Sequence, residues 1–85
     1  MKDLILVDSR VVGLKQTLRA IINQEVSEVY LANNADEFIR KSVEKACLEN
    51  NLKLIKIGTM RELGSACGID REASTAAIIK VLTYR

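Results

Sequence analysis

The sequence predicts an α/β protein, a three-layer α-β-α sandwich around a small, about four-stranded mixed sheet. Three observations lead there. Short β-type runs alternate with stretches of helical spacing along the whole chain. The helical stretches are amphipathic, so each must lay one face on another layer. The chain's 85 residues, 48% of them hydrophobic, are enough for one modest core and not for two. No linker, repeat or low-complexity segment divides the chain, and proline is absent, so residues 1–85 read as a single domain.

The elements follow in order. In residues 1–10, "DLILV" fits a strand or one turn of helix, and periodicity does not arbitrate over so short a run. Residues 10–12 read as a short strand ending at Gly13. From Leu14 the apolar residues Leu14, Leu18, Ile21 and Ile22 form a helical stripe. "VSEVYLA", residues 26–32, reads as a strand, though its alternation is not clean. "NNADEF" supplies a turn, with Asp36 as N-cap or first-turn acid, and Ile39, Val43, Ala46 and Cys47 repeat the helical stripe until Asn50-Asn51 stops it.

"LKLIKI", residues 52–57, alternates apolar and basic residues as a half-buried strand does. "TMRE", residues 59–62, has capping-box spacing, with Thr59 as N-cap and Glu62 reaching back. Leu63, Ala66 and Cys67 carry the third helix, and Gly68 suits its C′ position. Residues 69–74, "IDREAS", are a loop, and "TAAIIKVL" is a buried closing strand. Strand order is not readable from this pattern.

Composition removes several functions. The net charge of +2 makes a weak overall field, so an anion site must come from local clustering. With no histidine, His-dependent triads, His-ligated metals and imidazole switches are excluded. Cys47 and Cys67 form no CxxC pair and read as buried thiols in a reducing compartment. Apolar runs reach only four residues and no signal pattern opens the chain, so a cytoplasmic protein with no membrane partner is expected. Asp36, Glu62 and Asp70 have turn or cap roles, Ser65 and Cys67 lack an activating base, and no nucleotide- or hydrolase-type motif occurs. We therefore expect no enzyme, no cofactor and no metal.

The helix opening at Lys15 is unusual. Exposed helix starts favour acids, because the macrodipole leaves positive partial charge there. Here Lys15, Gln16 and Arg19 lie off the apolar stripe, with Asn23 beyond them. A merely solvated polar face is the plain alternative. Gly13 permits a tight turn and close approach of a ligand to the first N–H groups. Gln16 can pair with two atoms of a base edge, so the group suits a polyanion with readable bases better than free phosphate. If the strands before them run parallel, Gly13, the Asn33–Asp36 turn and the Gly58–Thr59 turn share one sheet edge. The 69–74 loop joins them if the last strand is antiparallel. Ile69 then offers an apolar contact to a base or sugar, and Arg71 a phosphate contact.

"GLKQTLRAI", "LANNADE", "MRELGSACGID" and "STAAII", in order from about residue 10 to residue 80, together resemble the kink-turn-binding ribosomal protein family of the L-seven-Ae and L-thirty-e type, and most closely its small bacterial members. The resemblance implies an α-β-α sandwich, with the first ten residues helical. It also implies a protein that grips a kink-turn in ribosomal RNA, a riboswitch or another structured RNA, and we expect it to be a monomer. By position, Gly13, Lys15, Gln16 and Arg19 are the helix start at the sheared G·A pairs, and Ile69, Asp70 and Arg71 the loop covering the extruded nucleotide. Asp36 and Arg61 also match positions near the RNA. Archaeal members usually carry Asn-Glu in place of Lys15-Gln16 and a more apolar loop in place of "DRE", so hydrogen bonding to guanine differs here. A small protein-interaction module of the same fold, anchored by Tyr30, Phe38 or Tyr84, is the alternative.

Overall fold

The computed structural model describes residues 10–79. They run β1 (Arg10–Val12), α1 (Leu14–Ile22), β2 (Val26–Ala32), α2 (Glu37–Glu49), β3 (Leu54–Ile57), α3 (Met60–Ala66) and β4 (Thr75–Ile79). The expectations for residues 1–9, for the last strand past Ile79 and for Tyr84 lie outside these residues.

The sheet has the order β1-β4-β2-β3. β2 and β3 pair parallel, from Val29 opposite Leu54 to Ala32 opposite Ile57. β4 is antiparallel to both β1 and β2. β1, β2 and β3 therefore point the same way, and their C-terminal ends meet the N-terminal end of β4 at one edge. The expected mixed sheet of four strands is present.

β2 explains its own uneven alternation. Val29, Tyr30, Leu31 and Ala32 are all buried although successive side chains point to opposite faces. Such a strand must be covered on both sides, as in a sandwich with helices on each face. α1 and α2 pack on one another, while α3 packs on β2, β3 and β4. A register shift between Val26 and Glu28 breaks the alternation further. Tyr30 donates its hydroxyl to a Glu28 carboxylate oxygen at 2.8 Å. Burial first, and then Glu28, push its pKa up to about 12.

The helix termini carry strong local signals. The Asp36 side chain accepts from the Phe38 N–H at 3.1 Å, capping α2. At α3 the Thr59 hydroxyl accepts from the Glu62 N–H at 3.0 Å, and Glu62 Oε1 accepts from the Thr59 N–H at 3.1 Å, the capping box in full. All three helices end in a Schellman motif, with a positive-φ residue at C′: Gln24 after α1, Asn51 after α2 and Gly68 after α3.

Along α1, Thr17, Ala20 and Ile21 are buried and Leu14 and Leu18 half-buried, whereas Ile22 is 75% exposed. The stripe is centred between Thr17 and Ile21, so Ile22 falls on its margin. Small residues, rather than a fourth large one, let α1 lie close to its neighbours. Cys47 and Cys67 are free and buried, as expected, and burial pushes both thiols up. No helix among the described residues is long and apolar enough to cross a membrane.

The 69–74 loop is held against α3 by a missing side chain. Gly64 is buried within α3, and a Cβ there would overlap the carbonyl oxygen of Arg71 and come within 3.2 Å of the Glu72 Cα. Ile69 N–H donates to Gly64 O at 3.1 Å and Ala73 N–H to Met60 O at 3.0 Å, fixing the loop at both ends. Gly64→Ala gains about 1 kcal/mol of helix propensity but forces backbone apart, an overpacking cost of about 1–3 kcal/mol. We expect a net loss of stability in urea or thermal unfolding. An unchanged or raised midpoint would show that the loop is not held by this contact.

Candidate nucleic-acid interface

β1 leads into α1 through Gly13, whose φ of 101° and ψ of 158° lie in a region that side-chain-bearing residues avoid. Space around Gly13 is open, so the backbone conformation alone requires glycine there. Its N–H donates to Thr75 O at 2.8 Å, anchoring the turn to β4. No side chain caps α1 and no acid lies in its first turn, although α2 and α3 are both capped. Lys15, Gln16 and Arg19 are exposed around this open start. An uncapped helix start with cations beside it is unfavourable in isolation and favourable beside an anion.

The strand directions meet the geometric condition set by the sequence. Ala32 N–H donates to Ser74 O at 2.9 Å and Asn33 N–H to Ile57 O at 2.7 Å, so the ends of β2 and β3 and the start of β4 are stitched together. Asn34 Oδ1 accepts from the Met60 N–H at 2.8 Å, tying the β2–α2 turn to the start of α3. The whole edge is one braced unit.

Three shallow grooves cross it. One starts beside Lys15 and Gln16 and runs down α1 past Arg19 and Asn23 to Glu25 and Ile79, at the opposite end of the sheet. A second, of about 370 Å³, lies between β1 and the loop and is lined by Arg10, Gly13, Gln16, Ile69, Arg71 and Glu72 among others. A third, of about 350 Å³, is lined by Arg61, Ser65, Ile69, Asp70, Arg71 and Glu72. Gln16 belongs to the first and second, and Ile69, Arg71 and Glu72 to the second and third. Gly13, Lys15, Gln16, Arg19, Arg61, Ile69, Asp70 and Arg71 thus border one continuous surface.

Asp36 stands apart. It sits on the same edge, but its carboxylate is engaged as the α2 cap and it lines none of these three grooves. Ile69, the first residue of the loop, is half-buried, while Asp70 and Arg71 are exposed.

Sequence reasoning missed Asn34, Gly64 and Arg10. Asn34 was legible only as a turn residue, because its partner is distant in the chain. Gly64, inside a helical stretch where glycine is costly, was the signal available for a close backbone contact. Among the described residues no group of three or more His, Cys, Asp or Glu side chains could hold a metal ion.

Comparison with known proteins places this geometry in a family. The model of the Ribosomal protein L7Ae/L30e/S12e/Gadd45 family matches residues 7–84. An RNA-binding protein of Caldanaerobacter subterraneus subsp. tengcongensis is 52% identical over 68 residues, 80% of this chain and 83% of that protein. RNA-binding protein YbxF of Geobacillus stearothermophilus is 40% identical over 70 residues, 82% and 85% of the two chains. The Giardia lamblia 15.5kD RNA binding protein shares the fold, with a TM-score of 0.83 over 92% of this chain and 66% of that one at 23% identity. The chain belongs to the ribosomal protein L7Ae/L30e/S12e/Gadd45 family.

Proposed function

We propose that this chain is a non-catalytic, cytoplasmic RNA-binding protein that acts as a monomer to recognise and stabilise kink-turns in ribosomal RNA or other structured RNA. One observation carries the reading: the uncapped, cation-bearing start of α1 shares a braced edge with the 69–72 loop. The names of its relatives, RNA-binding proteins over most of their length, support the class of ligand.

The chemistry fits a bent RNA. A regular A-form duplex hides its base edges in a deep, narrow groove, whereas a kink exposes them. In this reading the α1 start enters at the sheared G·A pairs. Lys15 donates to guanine O6 and N7, and Gln16 bridges two atoms of a base edge. Arg19 meets the backbone, and Ile69 with Asp70 and Arg71 covers the extruded nucleotide while Arg61 flanks it. Asp36 contributes by holding α2 and the turn in place. Binding the kinked form preferentially shifts the RNA from extended to kinked.

Titration with a kink-turn hairpin against a straight duplex of similar length tests this directly. The hairpin should bind much more tightly, and equal binding would leave only nonspecific electrostatics. Lys15→Ala and Arg19→Ala should each weaken hairpin binding by about 1–3 kcal/mol without unfolding the protein, because both side chains are exposed. Unchanged affinity in both removes α1 from the site. With few phosphates touched, log K should fall on log salt with a slope of about −2 to −4, at roughly 0.7–0.9 per phosphate. A slope near −8 would indicate a diffuse basic surface instead.

A further inference from the structure

Arg10 is singled out neither by a motif nor by its neighbours in sequence. It lies on β1 opposite Ile78, half-buried, three residues before Gly13. Its Nε is buried without a hydrogen-bond acceptor among the described residues. Among the described residues no carboxylate forms an ion pair with it, although Glu72 lines the same groove. Its neighbour Val11 lines the groove on the α1 side, so strand alternation turns Arg10 to the opposite, α3 side of the sheet.

An unpaired, desolvated guanidinium nitrogen is costly, and a charged donor left without a partner more so. The groove that Arg10 lines also holds Gly13, Gln16 and Arg71, so two guanidinium groups and an amide border one opening. A planar fork suits a phosphodiester, whose two free oxygens it can meet together. Glu72 is the one carboxylate bordering that groove, and it repels the same ligand.

We propose that Arg10 is a further RNA-contact residue, which grips a backbone phosphate in the groove between β1 and the 69–74 loop. The assignment rests on the RNA reading above. It extends the contact surface from the α1 start across the edge of the sheet. Glu72 opposes the phosphate and lowers affinity below what the two arginines alone would give.

The test uses a fluorescent kink-turn hairpin and a salt series with the full chain and three variants. Arg10→Gln should weaken binding roughly 10-fold or more. It should also reduce the steepness of the salt slope by about 0.7–0.9, one phosphate's share. Arg10→Lys should keep the slope but lose part of the affinity, because a point charge replaces the fork. Glu72→Gln should tighten binding. Wild-type affinity and slope in Arg10→Gln overturn the assignment. Should Arg10→Gln melt below the assay temperature, Arg10→Lys and Glu72→Gln decide, and wild-type affinity in both overturns it equally. Equal wild-type binding to hairpin and straight duplex would sink the kink-turn reading, while the change in slope on either RNA still decides Arg10.

Discussion

Two backbone carbonyls at the head of β4 organise the molecule. Ser74 O accepts from Ala32 N–H and Thr75 O from Gly13 N–H, so one short stretch binds the ends of β1 and β2 at once. That double anchorage is possible because β4 lies between β1 and β2 and runs against both. Inside the sheet, the buried Thr75 hydroxyl adds a 2.6 Å bond to Tyr30 O. With β4 so placed, the loop that precedes it must emerge beside the start of α1. Segments more than fifty residues apart in sequence then form one surface, without either having to be ordered by a ligand.

The net charge is too small to steer a polyanion by itself. Away from the edge two described cations are paired, Lys41 with Glu37 and Lys56 with Glu44, both pairs exposed and worth little to stability, whereas Arg40, Lys45 and Lys53 make no ion pair with any described residue. Lys15, Arg61 and Arg71 at the braced edge, and Arg19 further along α1, likewise make no ion pair with any described residue. α2 and α3 satisfy their first turns from their own side chains, while α1 does not. Of the three described helices, α1 alone has neither a side-chain cap nor an acid in its first turn, and its first cation, Lys15, is exposed beside that open start.

Much of this was legible in the sequence, and the rest was hidden for definable reasons. Local signals read well: the Asp36 cap, the Thr59–Glu62 box, Gly68 at C′ and the Asn50-Asn51 stop depend on residues within one turn of each other. Relations between elements were harder. The sharing of one edge could be stated only as a condition, since strand direction depends on pairing that no short window encodes. Ile22 looked like core by spacing and is exposed, because Thr17 and Ala20 allow the helix to roll its stripe away from it. β3 begins at Leu54 rather than residue 52, since the Schellman turn at Asn51 uses the Leu52 N–H. Gly64 was visible as a glycine in a helix, but its purpose lies in a backbone segment seven residues on, met only after the chain turns back.

Amide chemical-shift mapping on addition of a kink-turn hairpin tests the account most directly. Gly13 to Gln16 and Ile69 to Arg71 should shift together and saturate at one equivalent. Gln24 and Asn51, which close α1 and α2 at the opposite edge of the sheet, should stay still. Shifts concentrated around Gln24 and Asn51, or confined to only one of the two expected segments, would contradict the claim that a single braced edge receives the ligand.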